Sequence, residues 1–63
     1  MNPTQIIAEV LECFDLQTEH VTLLQDAING KEVNINRMHQ IMIEIKEKMA
    51  KVKPFIMQME AAA

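Results

Sequence analysis

Apolar residues recur at alternating spacings of three and four through the second half of this chain. Heptad position a holds Ile35, Met42, Met49 and Ile56, and position d holds Met38, Ile45, Val52 and Met59. A repeat sustained over several turns is typical of an α-helix that packs along one seam against another helix. The pattern therefore predicts a helix across residues 35–60, and it restricts the chain to folds that supply a second helix.

The first half carries the same repeat, with Gln17 as its one polar core position. When the two halves are aligned in opposite directions, every a residue faces a d residue, and only the layer of Gln17 and Met49 is not wholly apolar. The sequence therefore predicts an all-α fold, an antiparallel two-helix hairpin with a coiled-coil-like core. The predicted hairpin core consists of Ile7, Val10, Phe14, Val21, Leu24, Ile28, Met38, Met42, Ile45, Met49, Val52 and Ile56.

Local signals place the helix ends. Asn2 is a good N-cap, and Pro3 suits the first helical position. Gly30 can adopt the left-handed conformation that closes a helix, and Asn34 is a second N-cap candidate. Pro54 removes one helical hydrogen bond while the apolar repeat resumes beyond it, which predicts a bend rather than an end. We expect a single domain, residues 1–63, with helix 1 at about 3–29, a loop at about 30–34 and helix 2 at about 35–60.

The small size of the chain predicts association. It has 63 residues and one cysteine, Cys13. Domains this small usually need a disulfide, a metal or a partner to be stable. A single cysteine excludes an internal disulfide and is typical of a reducing compartment, so we expect a cytoplasmic protein. The sequence has no signal-peptide pattern and no apolar run of membrane-spanning length, so we expect no membrane contact.

Residues outside the a and d positions form a second apolar surface. Positions g of two antiparallel helices lie on one flank, and the apolar residues at g and c predict a broad patch of the kind that marks an association surface. The predicted partner interface consists of Ile6, Cys13, Leu16, Leu23, Ile41 and Phe55, with a smaller stripe of Ile43, Ala50 and Met57 elsewhere. We expect a homodimer, in which two hairpins form a four-helix bundle, and/or a complex with another helical protein.

The few chemically versatile residues are not spaced for catalysis or metal binding. Cys13 and His20 are two helical turns apart, about 10 Å, which is too far for one zinc ion to bridge. His39 has no second ligand at metal-binding spacing, and a single glycine excludes a glycine-rich phosphate loop. We therefore expect no catalytic, cofactor or metal site, and we do not expect an enzyme.

Charge restricts the partners further. The net charge is −3, and Lys46, Lys48, Lys51 and Lys53 scatter around the predicted helix, which disfavours nucleic-acid binding. The predicted function is a small non-catalytic protein–protein interaction module, such as an adaptor, a chaperone or a regulatory subunit. Two alternatives stay open: a dimeric RNA-binding four-helix bundle and a purely structural oligomerisation module. In outline alone, the predicted hairpin resembles both plasmid RNA-binding hairpins and helical chaperones or adaptors of bacterial export systems.

Overall fold

The computed structural model describes residues 2–62 and places them in two helices. Helix α1 spans Pro3–Ile28 and helix α2 spans Ile35–Ala62. The helices pack against each other as an antiparallel hairpin that measures 47 × 18 × 17 Å, and the described residues form no strand. The predicted two-helix hairpin is therefore confirmed, and the observed helix ends lie within two residues of the predicted ones.

The predicted cap of α1 is present. The side-chain oxygen Oδ1 of Asn2 accepts a hydrogen bond from the backbone N–H of Gln5 at 2.8 Å. In return, Oε1 of Gln5 accepts one from the backbone N–H of Asn2 at 3.0 Å. This reciprocal pair satisfies two backbone donors that the first helical turn would otherwise leave unpaired, so it fixes where α1 begins.

A glycine closes α1 and an asparagine opens α2. Gly30 has φ +80°, its N–H donates to the carbonyl of Ala27, and the N–H of Lys31 donates to the carbonyl of Asp26. These two bonds form the Schellman motif, which requires a left-handed residue at the position of Gly30. Four residues later, Oδ1 of Asn34 accepts a hydrogen bond from the backbone N–H of Arg37 at 3.0 Å. The reversal therefore follows from local signals at both of its ends.

Helix α2 continues past its internal proline. Pro54 is exposed and lies eight residues before the last helical residue, Ala62. Its ring cannot donate a hydrogen bond to the carbonyl of Ala50, but Ala50 is itself exposed, so water can replace the missing donor. Because Phe55 and Ile56 beyond the proline are half-buried, packing against α1 compensates for the lost hydrogen bond.

The centre of the hairpin consists of four buried apolar side chains. Ile41 and Val52 of α2 are fully buried, and Ile6 and Cys13 of α1 are nearly so. Around them, a ring of side chains is half-buried: Val10, Leu16, His20, Leu23, Met38, Ile45, Phe55 and Ile56. The core is therefore a narrow seam between the two helices, as expected for a chain with so little surface to hide.

The residues in this seam show that the predicted hairpin core and the predicted partner interface were partly interchanged. Of the residues predicted to bind a partner, Ile6, Cys13 and Ile41 are buried inside the hairpin, and Leu16, Leu23 and Phe55 are half-buried there. Of the predicted core, Val52 is buried and Val10, Met38, Ile45 and Ile56 are half-buried, but the remaining members are exposed. Those exposed members are Ile7, Phe14, Val21, Leu24, Ile28, Met42 and Met49.

The two surfaces were interchanged in the prediction because the apolar part of each helix surface is wide. Apolar side chains occupy most of the a, d and g positions on both helices, so each helix can turn about its axis and still bury an apolar stripe. The observed rotation brings acidic side chains of α1 beside basic side chains of α2. Periodicity alone does not contain that information, since it depends on charges in the other helix.

Candidate interaction surface

Ion pairs join the two helices along one edge of the hairpin. Nζ of Lys48 lies 3.1 Å from Oε2 of Glu9 and 2.5 Å from Oε2 of Glu12, and Nζ of Lys51 lies 3.3 Å from Oε1 of Glu9. All of these residues occupy positions c, f or g of the heptad. We call this side the ionic edge, and its pairing agrees with the opposite net charges of the two halves.

The ionic edge shifts the pKa values of its members. Hydrogen bonds from Lys48 and then Lys51 lower the pKa of the Glu9 carboxyl from its ordinary value of 4.5. The guanidinium of Arg37 lowers the pKa of Glu19 in the same way. Hydrogen bonds to Glu12 and Glu9 raise the pKa of Lys48. These groups therefore all stay charged at neutral pH, and the edge is held together by charged partners.

The opposite side of the hairpin is apolar and uncovered. Phe14 and Ile7 are each 58% exposed, and Met42 is 55% exposed. Position a of one helix and position a of the other lie on the same flank of an antiparallel pair, so these side chains form one surface. We call it the open face; its residues are Ile7, Phe14, Val21 and Ile28 of α1 and Ile35, Met42 and Met49 of α2, all exposed.

The two rims of the open face differ in charge. Position e of α1 holds Thr4, Leu11, Thr18 and Gln25, while position e of α2 holds His39, Lys46, Lys53 and Glu60. The hydroxyl of Thr18 donates to the carbonyl of Phe14 at 3.0 Å, so this threonine presents mainly its methyl group. The face is therefore apolar at its centre, uncharged along α1 and mainly basic along α2.

The hairpin has more surface than a compact protein of its mass. Its solvent-accessible surface is 4905 Å² for 7.2 kDa. A compact monomer of that mass exposes roughly 4,100 Å² by the usual scaling. The excess is roughly 800 Å², which is about the area that one partner contributes to a standard protein–protein interface.

A second apolar stripe lies on the outer side of α2. Ile43 and Met57 are each 56% exposed, and Ala50 between them is also exposed. This stripe is separated from the open face by Lys46 and Lys53 and has no counterpart on α1. It is narrower than the open face, and its residues are suitable control positions for substitutions in the open face.

The chemically versatile residues are not gathered into a site. Burial raises the pKa of the Cys13 thiol, which keeps it protonated and a poor nucleophile. His20 is half-buried and His39 is exposed on the other helix. Across residues 2–62, no group of three or more His, Cys, Asp or Glu side chains is placed to hold a metal ion. Neither described helix is long and apolar enough to cross a membrane.

Sequence reasoning found the helices but misplaced the exposed surface. The interhelical pairs of Lys48 with Glu12 and of Arg37 with Glu19 join the acidic half to the basic half, and that charge division was the available signal for the rotation. Comparison with models of protein families, with curated proteins and with solved structures found no match to this chain. The fold and surface together define a small helical hairpin with an ionic edge on one side and an open apolar face on the other.

Proposed function

We propose that this chain is a small non-catalytic protein–protein interaction module that works as an adaptor, a chaperone or a regulatory subunit through its open face. The observation that carries the proposal is the exposure of Phe14 and Met42 at the centre of a surface that spans both helices. Contiguous apolar patches of this extent are uncommon on monomeric proteins and mark contact sites. The partner is a second copy or another protein that presents an apolar helical surface.

The energetics of so small a domain support this proposal. Burial of apolar surface contributes about 25 cal/mol per Å², and a small domain has a total stability of only about 5–15 kcal/mol. Among residues 2–62 of the isolated hairpin, the buried side chains are those of Ile6, Cys13, Ile41 and Val52. Covering the open face would therefore add a large fraction to the stability of the fold, which favours a protein that works in a complex.

The charge distribution disfavours RNA binding as the alternative function. Lys48 and Lys51 already pair with Glu9 and Glu12, and the net charge of the chain is −3. A purely structural oligomerisation module would use the same open face. It would differ from an adaptor, a chaperone or a regulatory subunit only in having no partner beyond its own oligomer. We also propose a cytoplasmic location, because the one cysteine, Cys13, is an unpaired thiol.

Two adjacent residues of equal exposure provide the test. Met42 lies in the open face and is 55% exposed, while Ile43 lies on the outer side of α2 and is 56% exposed. Met42→Glu should abolish co-purification of the native partner from the source cell, because a carboxylate cannot enter an apolar contact without a large desolvation penalty. Ile43→Glu is the matched control and should retain that partner.

Two results would overturn the proposal. One is a specific partner that is retained equally by both glutamate variants, because the open face would then take no part in binding. The other is a partner whose retention depends steeply on salt and is removed by nuclease treatment, because that result would favour the RNA-binding alternative. Circular dichroism of both variants should show unchanged helicity, since neither side chain lies in the hairpin seam.

A further inference from the structure

We infer that the open face binds a second copy of this chain, with the two-fold axis parallel to the helices, so that α1 of each hairpin packs against α2 of the partner. This inference deepens the proposed function and rests on it. It commits to one occupant and one arrangement. The observations that carry it are the excess surface of the hairpin and the different charges of the two rims.

The excess surface of the hairpin is large enough for a two-fold contact. The hairpin exposes roughly 800 Å² more than a compact monomer of its mass, and a standard interface buries about 800 Å² on each partner. Two hairpins that meet through their open faces would each bury Phe14, Val21 and Met42 in one step. The product is a four-helix bundle, a shape that removes the excess surface of both chains.

Two face-to-face arrangements are compatible with two-fold symmetry. With the axis perpendicular to the helices, α2 lies against α2 of the partner, and the chains run in opposite directions. That arrangement brings the rim of Lys46 and Lys53 against the same rim of the other copy, with each Lys46 near the Lys53 of the partner subunit. Like charges placed directly opposite each other disfavour association, so the rim charges oppose this geometry.

The axis parallel to the helices avoids this repulsion. Each α2 then lies against α1 of the partner, so that Lys46 and Lys53 face the uncharged rim that contains Leu11 and Thr18. Apolar residues of the open face still meet along the whole length of the hairpin, because the two copies keep the same height along the axis. The uncharged rim of α1 and the basic rim of α2 are thus compatible neighbours.

One acidic residue lies at the right height to complete the arrangement. Within each hairpin, the pair of Lys48 and Glu12 fixes which residues of α1 and α2 are level. Rotation about an axis parallel to the helices preserves these levels, so Lys46 comes within about one helical turn of the height of Asp15 of the partner subunit. Neither Asp15 nor Lys46 takes part in an ion pair among residues 2–62. Both charges are therefore available for contact between copies.

Charge reversal distinguishes the two arrangements by the sign of its effect. In the arrangement we infer, Lys46→Glu should weaken the dimer about 2- to 5-fold, the range of exposed ion pairs, and so should Asp15→Lys. The double variant Asp15→Lys with Lys46→Glu should restore the dissociation constant, because it exchanges the two charges. In the perpendicular arrangement, Lys46→Glu would instead tighten the dimer by pairing with Lys53. Sedimentation equilibrium at low salt measures the dissociation constants of the unmodified protein, the two single variants and the double variant.

Distances between spin labels give an independent readout. Cysteine replaces Ala8 or Thr22, two exposed residues of α1 outside the open face, in a Cys13→Ala background that retains the dimer mass. An axis parallel to the helices keeps equivalent residues at one height, so both sites should give similar intersubunit distances. The perpendicular axis that places Lys46 near Lys53 of the partner subunit lies level with about residue 10 of α1, because Lys48 pairs with Glu12 and Lys51 with Glu9. It would separate the two Ala8 positions by only about 8 Å along the bundle and the two Thr22 positions by about 35 Å.

The outcomes separate this inference from the proposed function. A dimer with compensating charge reversals and similar label distances supports it. A Lys46→Glu dimer that is tighter than the unmodified dimer, or label distances that differ between the two sites, would overturn it. A larger oligomer, or a protein that stays monomeric at about 100 μM, would overturn it as well. If the monomer still loses a native partner on Met42→Glu but not on Ile43→Glu, the proposed function stands and only the identity of the occupant is wrong.

Discussion

Arg37 and Glu19 join the two helices by a two-pronged ion pair. Nε and Nη2 of the guanidinium donate to Oε2 and Oε1 of the carboxylate, each at 2.7 Å. A bidentate pair of this kind fixes orientation as well as distance. It lies on the ionic edge near the loop, and Lys48 continues the same edge farther along α2. Together these contacts select which face of each helix turns inward and which remains open.

The ionic edge predicts a loss of stability in acid. The pKa values of Glu9 and Glu19 are lowered in the folded protein from 4.5, so their contribution is fully present above that pH. It is lost as the pH falls through the lowered values, because the unfolded chain then binds more protons than the folded one. The Tm of the protein should therefore fall as the pH drops below about 4.5.

The variant Glu9→Gln with Glu19→Gln tests the origin of this acid sensitivity. It should have a lower Tm than the unmodified protein at pH 7, and the difference should shrink as the pH falls below 4.5 and disappear once both carboxyl groups are protonated in the folded protein. Glu32→Gln is the control, since Glu32 lies in the loop and forms no ion pair within residues 2–62. A difference that does not shrink in acid would contradict the assignment to these two carboxylates.

Adjacent residues of α2 should differ sharply in their effect on the hairpin. Ile41 is fully buried and Met42 is 55% exposed. Ile41→Ala should cost about 2–5 kcal/mol of unfolding free energy, because it removes buried methylenes and leaves a cavity. Met42→Ala should cost less than about 1 kcal/mol. Urea denaturation in a Phe14→Glu background, which blocks association through the open face, measures the hairpin alone. A larger cost for Met42→Ala would restore the face assignment that periodicity suggested.

The turn depends on one left-handed residue. Gly30 has φ +80°, and a Cβ added there would meet no atom within 4 Å. Gly30→Ala should therefore destabilise the hairpin by about 1 kcal/mol through backbone strain and not through a clash. Gly30→Asn should cost less, since asparagine tolerates the left-handed region better than alanine. Thermal denaturation of the two variants compares them directly, and equal Tm values would show that strain is not the cause.

Gln17 should affect association more than folding. The sequence pattern placed it in a polar core layer, but the structure leaves it exposed beside Phe14 and Val21. This expectation of a buried polar layer was therefore wrong. Gln17→Leu should extend the open face and lower the dissociation constant of the dimer, with little change in the stability of the monomeric hairpin. Weaker self-association on sedimentation would mean that Gln17 makes a required polar contact between copies.

The two helices, and three of their four ends, follow from signals within the sequence. The bond between Asn2 and Gln5, the left-handed Gly30 and the cap at Asn34 all act over a few residues. Such signals depend only on neighbours along the chain, so they can be read without a structure. The period of the apolar residues likewise predicts helices, and the short loop then requires that they run antiparallel.

The choice of the apolar stripe that is buried came from the packing of the two helices. Ile41 and Met42 are neighbours in sequence and both are apolar, yet one lies in the seam and the other on the open face. Apolar residues cover more than one stripe of each helix, and the hydrophobic effect is not directional, so apolar periodicity alone does not choose among rotations of the helices. The choice depends on side chains far apart in sequence, since Glu19 pairs with Arg37 and Glu9 with Lys48 only when the helices have turned toward each other in one way.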